Sequence, residues 1–245
     1  MKQGIFTITK NINLTRDVML MTLKGDATDI TKPGQFINIK LDGKYLRRPI
    51  SVCFATDNEI TIIYKVVGHG TEQMRGMAVG EKLDVLTGLG NGYDVNCSGD
   101  APLLIGGGVG VPPLYMLAKE LIDLGKKVTV ILGFNTKDEI FYENEFKKLG
   151  CNVFVTTVDG SYGTKGFVTN VMDALDYSYF YTCGPEPMLK AIFKTSKVSG
   201  ELSFEERMGC GFGACMGCSC KTITGYKRIC KDGPVMKKEE ILWED

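Results

Sequence analysis

The stretch Glu206–Cys220, ERMGCGFGACMGCSC, holds four of the nine cysteines of this 245-residue chain, and Cys230 follows ten residues later. Cys210, Cys215 and Cys218 are spaced C-x4-C-x2-C, with eleven residues between Cys218 and Cys230. Thiolates at this spacing form the ligand pattern of a plant-type 2Fe–2S cluster. Sulfurs that carry cluster charge favour backbone N–H donors around them, and Gly211, Gly213 and Gly217 let the loop turn tightly enough to supply them. Two other chemistries compete. A four-thiolate zinc site usually draws on paired C-x2-C knuckles, and only Cys215 and Cys218 make such a pair. Disulfides or free thiols are the other reading, but the odd count and the chain's size speak against a disulfide framework and for a reducing compartment. Cys220 is read as a bystander. Cys53, Cys97, Cys151 and Cys183 are scattered singly, where a buried free thiol is the usual case.

A 2Fe–2S centre passes electrons one at a time, whereas a nicotinamide carries them as hydride. A flavin is the usual group that does both, so the sequence should hold a flavin site and a nicotinamide site. GGGVGVPP (106–113) follows an apolar run and opens a helical one. Its glycines would let backbone amides approach a pyrophosphate. Val111 stands where the Rossmann G-x-G-x-x-G would have its third glycine, and a plain strand–helix turn is the alternative. CGPEPM (183–188) repeats the strand–loop–helix layout. RRPIS (47–51) offers an arginine for a phosphate and a hydroxyl for a ring nitrogen, and GHGT (68–71) could wrap a diphosphate; each also reads as ordinary barrel structure. His69, the single histidine, is assigned no catalytic role.

The elements that must position these residues fall into three regions. Residues 1–98 carry short β-branched, roughly alternating runs at 35–41, 47–54, 59–67 and 81–86, the pattern of a small antiparallel barrel. Residues 99–200 alternate strand and helix, which implies a parallel sheet covered on both faces. Leu114, Leu117, Ala118 and Leu121 give one helix an apolar face. DEIFYENEFKKLG (138–150) reads as a second helix, with acid early, lysine late and a closing glycine. Residues 201–245 have little periodicity and too few apolar residues for a core of their own, so a metal centre is expected to order them.

Composition narrows the function. Lys plus Arg equals Asp plus Glu, for a formal net charge of zero, which argues against a nucleic-acid partner. No apolar run approaches membrane-spanning length, and the first residues lack a signal-peptide layout. A cytoplasmic protein is therefore expected.

RPIS, GHGT, GGGVGVPPL and CGPEPM, in that order, resemble the ferredoxin–NAD(P) reductase superfamily. The tail EERMGCGFGACMGCSC…CKDGPV…W is similar to one branch of it, the electron-transfer subunits of NAD-dependent (class 1B) dihydroorotate dehydrogenases. The resemblance implies an FAD-binding barrel (1–98), an NAD-binding α/β domain (99–200) and a 2Fe–2S segment (201–245). It implies that Arg48, Pro49, Ile50 and Ser51 line the flavin, with Arg48 near its phosphates and Ser51 near the reactive ring edge. Lys65, Val66 and Val67 would pass close to the flavin, and Gly70 and Thr71 would hold its diphosphate. Gly106, Gly107, Gly108 and Gly110 would face the nicotinamide nucleotide. Cys183 and Gly184 would lie where nicotinamide meets flavin, with Ser51 and Cys183 as the positioning pair. Cys210, Cys215, Cys218 and Cys230 would ligate iron. Ile50 departs from an aromatic common in the superfamily, and TGLGNGY (87–93) departs from its usual turn. The resemblance further implies a separate FMN-bearing subunit that oxidises dihydroorotate, two copies of each subunit, and electrons passing from FMN through the cluster and FAD to NAD⁺. The cysteine tail, with Met208, Phe212 and Met216, would be the docking face. A related NAD(P)H-dependent ferredoxin or sulfide reductase subunit is the second reading, and a zinc-stabilised nucleotide-binding module the third.

Overall fold

The computed structural model describes residues 1–243. Six antiparallel strands come first: β1 (Lys2–Asn13), β2 (Val18–Lys24), β3 (Phe36–Ile39), β4 (Arg48–Thr56), β5 (Glu59–Lys65) and β6 (Lys82–Leu89). They close into a barrel in the order β1-β2-β5-β4-β3-β6. The expected strands are β3 to β6. The alternation rule did not single out β2, VMLMTLK, because both of its faces are buried. Met19, Met21 and Leu23 point into the barrel core, whereas Val18 and Leu20 join a second core shared with the α/β sheet. A strand apolar on both faces has no period of two to detect. One short helix, α1 (His69–Arg75), follows β5.

The second layer is built from β7 (Pro102–Gly107), α2 (Pro113–Asp123), β8 (Thr129–Phe134), α3 (Glu143–Lys148), β9 (Asn152–Thr157), β10 (Thr164–Lys165), α4 (Val168–Met172), β11 (Tyr179–Cys183), α5 (Glu186–Thr195) and β12 (Gly200–Ser203). The tail adds a hairpin, β13 (Ser219–Thr222) with β14 (Gly225–Arg228), and then β15 (Val235–Lys237). The sheet order is β10-β9-β8-β7-β11-β12-β15, parallel except for β15. Strand order reverses on either side of β7. At such a switch point, here the carboxyl ends of β7 and β11, open α/β sheets bind their ligands.

One expectation needs correction. The helix expected over 138–150 is only α3, Glu143–Lys148. A 3₁₀ turn spans Lys137–Glu139, and Tyr142 takes a left-handed conformation at φ 66°. Side-chain packing overrides the local helical signals. Phe141 is buried against Phe134, the Tyr142 ring meets Tyr115 edge-on at 5.1 Å, and the Glu139 carboxylate accepts the Asn135 N–H at 3.1 Å. The tail is joined to both layers by protein contacts. β12 spans the expected 200/201 boundary and pairs with β11, and β15 pairs with β12. Cys218, Ile229, Cys230 and Met236 pack on Phe36, Leu86 and Leu89 of the barrel in a small core.

TGLGNGY supplies much of this assembly. Gly88, Gly90 and Gly92 all have positive φ. Between them they let the chain leave β6 and cross to the sheet. Asn91 donates to the Val235 carbonyl at 2.7 Å and accepts the Val235 N–H at 3.1 Å. The Tyr93 hydroxyl donates to the Thr182 carbonyl at 3.0 Å. Barrel and sheet also share one apolar core. Cys53 and Ile63 of the barrel lie in it with Leu114, Leu117, Ala118 and Leu121, all four fully buried on α2 as the spacing predicts. Each such leucine contributes roughly 1.5–3 kcal/mol. This shared core fixes β4 relative to β7.

Candidate functional site

At the barrel end, β4 places Arg48 to Ser51 opposite β3, with Ser51 paired to Phe36, Pro49 to Asn38 and Arg48 to Ile39. All four residues are half-buried. The Arg48 guanidinium lies directly on Gly70: a Cβ there would stand 2.2 Å from Nε. RPIS and GHGT, twenty residues apart in the chain, thus form one cradle. The Thr71 hydroxyl accepts the N–H groups of Val67 (3.0 Å) and Gly68 (3.2 Å), which holds the loop in shape. Val67 is 78% exposed, and a Cβ on Gly68 would meet nothing within 4 Å, so the cradle faces open space. The Lys65 amine is engaged with Asp17 at 3.1 Å. The side chains of Lys65 and Val66 are thus taken up by Asp17 and the barrel core, which leaves their backbone and the exposed Val67 to the cradle. Ile50 packs against the barrel core.

The second cradle lies at the switch point. Cys183 pairs with Gly106 across β11 and β7. A Cβ on Gly110 would stand 2.2 Å from the Cys183 carbonyl oxygen, and one on Gly107 or Gly184 would run into Met188 at 2.6 or 2.4 Å. These glycines let the two loops touch. Gly108 differs from them, with φ +51° and no atom within 4 Å of its Cβ position. The 108–110 turn also lies against β5, which brings the two cradles to a common seam. Cys183 is half-buried as a residue, with its thiol on the inner side. Burial pushes its pKa up to about 12, against the pull of the Ser203 hydroxyl. It is therefore a neutral thiol, suited to packing and positioning rather than to nucleophilic attack.

The third part is the cysteine loop. Cys210 Sγ accepts the N–H groups of Ala214 at 3.2 Å and Cys215 at 3.5 Å. Cys218 Sγ accepts the Cys230 N–H at 3.4 Å. Burial works against ionisation of Cys210, but donation from the Cys215, Phe212 and Ala214 amides outweighs it and brings the thiol down to about 6. Burial and the neighbouring Cys218 raise Cys230 to about 12. The four cysteines are thus associated two and two, Cys210 with Cys215 and Cys218 with Cys230. Among the described residues, no set of three or more His, Cys, Asp or Glu side chains converges on a single-ion site. Cys220 sits on the β13–β14 hairpin, paired with Lys227. Met208 packs on the small tail core, whereas Phe212 and Met216 are 43% and 53% exposed beside the exposed Cys215.

Sequence reasoning passed over several residues that hold these parts together. Arg47 makes a two-pronged ion pair with Asp84 (3.0 and 3.1 Å) and donates to the Asn38 carbonyl at 3.3 Å. Asn38 is 1% exposed, and its Oδ1 has no hydrogen-bond partner among the described residues. An unpaired buried acceptor costs about 1–3 kcal/mol. Elsewhere, Lys32, Asp94, Glu201 and Lys237 line a polar cleft of about 240 Å³ away from both cradles. The RR pair and the N of FINIKL were visible signals, but their partners lie far off in the chain.

Comparison with known proteins distinguishes among the readings. Residues 205–242 match the family model of the iron-sulfur cluster binding domain of dihydroorotate dehydrogenase B, and residues 104–194 match that of the oxidoreductase NAD-binding domain. The Fusobacterium nucleatum protein "dihydroorotate dehydrogenase B (NAD(+)), electron transfer subunit" is 45% identical, with 96% of each chain covered. Its Bacillus pumilus counterpart is 46% identical, with 98% of each covered. The chain belongs to the dihydroorotate dehydrogenase B electron transfer subunit family. A solved structure of an NADH-dependent reduced ferredoxin-NADP oxidoreductase superposes with a TM-score of 0.89 at 31% identity, covering 98% of this chain and 90% of that one. The flavohem-like FAD/NAD-binding domain of Vibrio cholerae nitric oxide dioxygenase, at TM-score 0.70 and 22% identity, shares the fold. Within the electron transfer subunit family, the cysteine loop lies in the iron–sulfur domain, and both loops of the second cradle lie in the NAD-binding domain. Among the described residues no helix is long and apolar enough to cross a membrane.

Proposed function

We propose that this chain takes electrons from the FMN of a dihydroorotate dehydrogenase catalytic subunit and delivers them to NAD⁺, using a 2Fe–2S cluster and FAD. The observation that carries this reading is the two-and-two association of Cys210–Cys215 and Cys218–Cys230 on a loop packed against the FAD-type barrel. That donor set suits a two-iron cluster. When bound, the cluster supplies one-electron transfer and the flavin converts single electrons to hydride.

The chain's own residues bind and orient. Arg48 supplies charge for the flavin phosphates, at the cradle closed by Gly70 and Thr71. Pro49, Ile50 and Ser51, with the backbone of Lys65 to Val67, line the ring. Gly106, Gly107, Gly110 and Gly184 let the two loops pack closely, and Gly108 keeps the open side clear, so that the nicotinamide can reach the flavin at near-contact distance. The neutral Cys183 packs behind that contact. The partner docks at the exposed tip, on Phe212 and Met216 around Cys215, in a cytoplasmic assembly of two copies of each subunit.

Co-purification from the native cell tests the whole reading. An FMN protein that oxidises dihydroorotate, together with dihydroorotate-dependent NAD⁺ reduction by the complex, is expected. The 31% relationship to the ferredoxin-NADP oxidoreductase structure favours the second reading, a ferredoxin-linked NAD(P)H oxidoreductase subunit. Capture of a different flavoprotein with ferredoxin-linked turnover would establish that one instead.

A further inference from the structure

β3 reads FINI, and Phe36, Ile37 and Ile39 are buried apolar residues, as a barrel strand requires. Asn38 breaks the pattern. Its amide lies in the interior with only one end satisfied, because Nδ2 donates to the Cys210 carbonyl at 3.3 Å while Oδ1 has no partner among the described residues. A buried polar side chain is disfavoured unless it supplies a contact that an apolar one lacks. Here that contact is to the first cysteine of the C-x4-C-x2-C loop, 172 residues away in the chain.

The approach is tight on both sides. Gly211 has φ +78°, and a Cβ on it would lie 2.3 Å from Asn38 Nδ2. Only glycine lets the loop close on this amide. On the barrel side, Asn38 pairs with Pro49 of β4, and its carbonyl accepts from Arg47, which Asp84 anchors. One side chain therefore ties the strand that carries Arg48 to Ser51 to the loop that carries Cys210.

We infer that Asn38 is a positioning residue for the iron–sulfur ligand loop, holding Cys210 in register with the flavin-binding strand. The inference rests on the proposed reading of Cys210 as an iron ligand. Partners that orient metal ligands without touching the metal commonly tune its retention.

The test uses the full-length holoprotein, with N38L as an isosteric variant lacking the amide and N38S as a smaller polar one. Bound FAD and NADH reduction of the flavin should stay within about twofold of wild type, while iron is lost to a chelator about tenfold faster. The EPR line of the reduced cluster should broaden, and NADH should reduce the cluster more slowly. Wild-type iron retention and an unchanged EPR line in either folded variant would overturn the assignment. So would loss of FAD together with iron in both, since Asn38 would then serve the barrel as a whole. A wild-type protein with no 2Fe–2S signal would instead remove the underlying cluster reading.

Discussion

Gly110 and Cys183 meet backbone to backbone: a Cβ on Gly110 would lie 2.2 Å from the Cys183 carbonyl oxygen. Gly110→Ala must therefore part the two loops that frame the proposed nicotinamide crevice. Its φ is not positive, so the effect is steric rather than conformational. The expected outcome is a KM for NADH raised about tenfold or more, equivalent to about 1.4 kcal/mol, with FAD still bound. Gly108→Ala is a useful partner variant. It meets no atoms, but at φ +51° it costs roughly 1–2 kcal/mol of left-handed strain, and its Cβ faces the open side. Steady-state NADH oxidation with an artificial acceptor measures both, and an unchanged KM in both would place the nucleotide elsewhere.

The Arg48–Gly70 contact makes an equally direct prediction. Arg48→Ala should weaken FAD binding by about 1.5–3 kcal/mol, the range for a hydrogen bond to a charged group. Arg48→Lys should recover only part of this, because an ammonium lacks the planar fork of donors. Gly70→Ala should displace the guanidinium from the other side. Recovery of flavin fluorescence on release from the protein gives the affinities. Wild-type FAD affinity in Arg48→Ala would remove this arginine from the phosphate site.

Serine in place of Cys210, Cys215, Cys218 or Cys230 should abolish or sharply reduce the 2Fe–2S content. Cys220→Ser should retain it, because Cys220 is held on the hairpin opposite Lys227. Iron analysis and the visible spectrum decide between these outcomes. Full iron in Cys230→Ser with loss in Cys220→Ser would exchange the two roles.

Met216 is a non-glycine residue at φ 61° and is 53% exposed. A side chain kept where glycine would be favoured by roughly 1–2 kcal/mol points to a use for that side chain. Met216→Gly should leave the isolated subunit at least as stable and weaken its affinity for the catalytic subunit about tenfold. Titration of one subunit with the other measures this, and equal affinities would move the docking face away from the loop tip.

Glu201 carries a pH signature. It is 3% exposed, and burial raises its pKa from 4.5 to about 7, with Asp94 adding to the rise and the Asp94 N–H, Lys237 and Lys32 opposing it. Between about pH 4.5 and 7 the folded state holds a proton that the unfolded chain has released. Stability from this group is therefore complete below 4.5 and is lost as pH rises through 7, by up to about 3 kcal/mol. Glu201→Gln should flatten that slope and be the more stable protein at pH 8. Urea unfolding across pH 5–8 provides the comparison, and parallel curves for the two proteins would refute the shift.

Features written in local order were legible in the residues alone. The spacing of Cys210, Cys215, Cys218 and Cys230, the glycines of 106–110, the apolar face of α2 and the alternation of β3 to β6 each depend on neighbours close in the chain. They were sufficient for the fold class and for three cofactor chemistries. What failed had its cause elsewhere in space. β2 hid its period because two cores claim its two faces. The 138–150 helix gave way because Phe141 and Tyr142 found partners on β8 and α2.

Only the folded chain could bring Arg48 onto Gly70, set Gly110 against Cys183, clamp Val235 with Asn91, or aim the Asn38 amide at Cys210. A sequence specifies which groups can do chemistry, because spacing and side-chain type are local properties. It does not display which distant groups will meet, because such contacts arise when barrel and sheet close on a shared core.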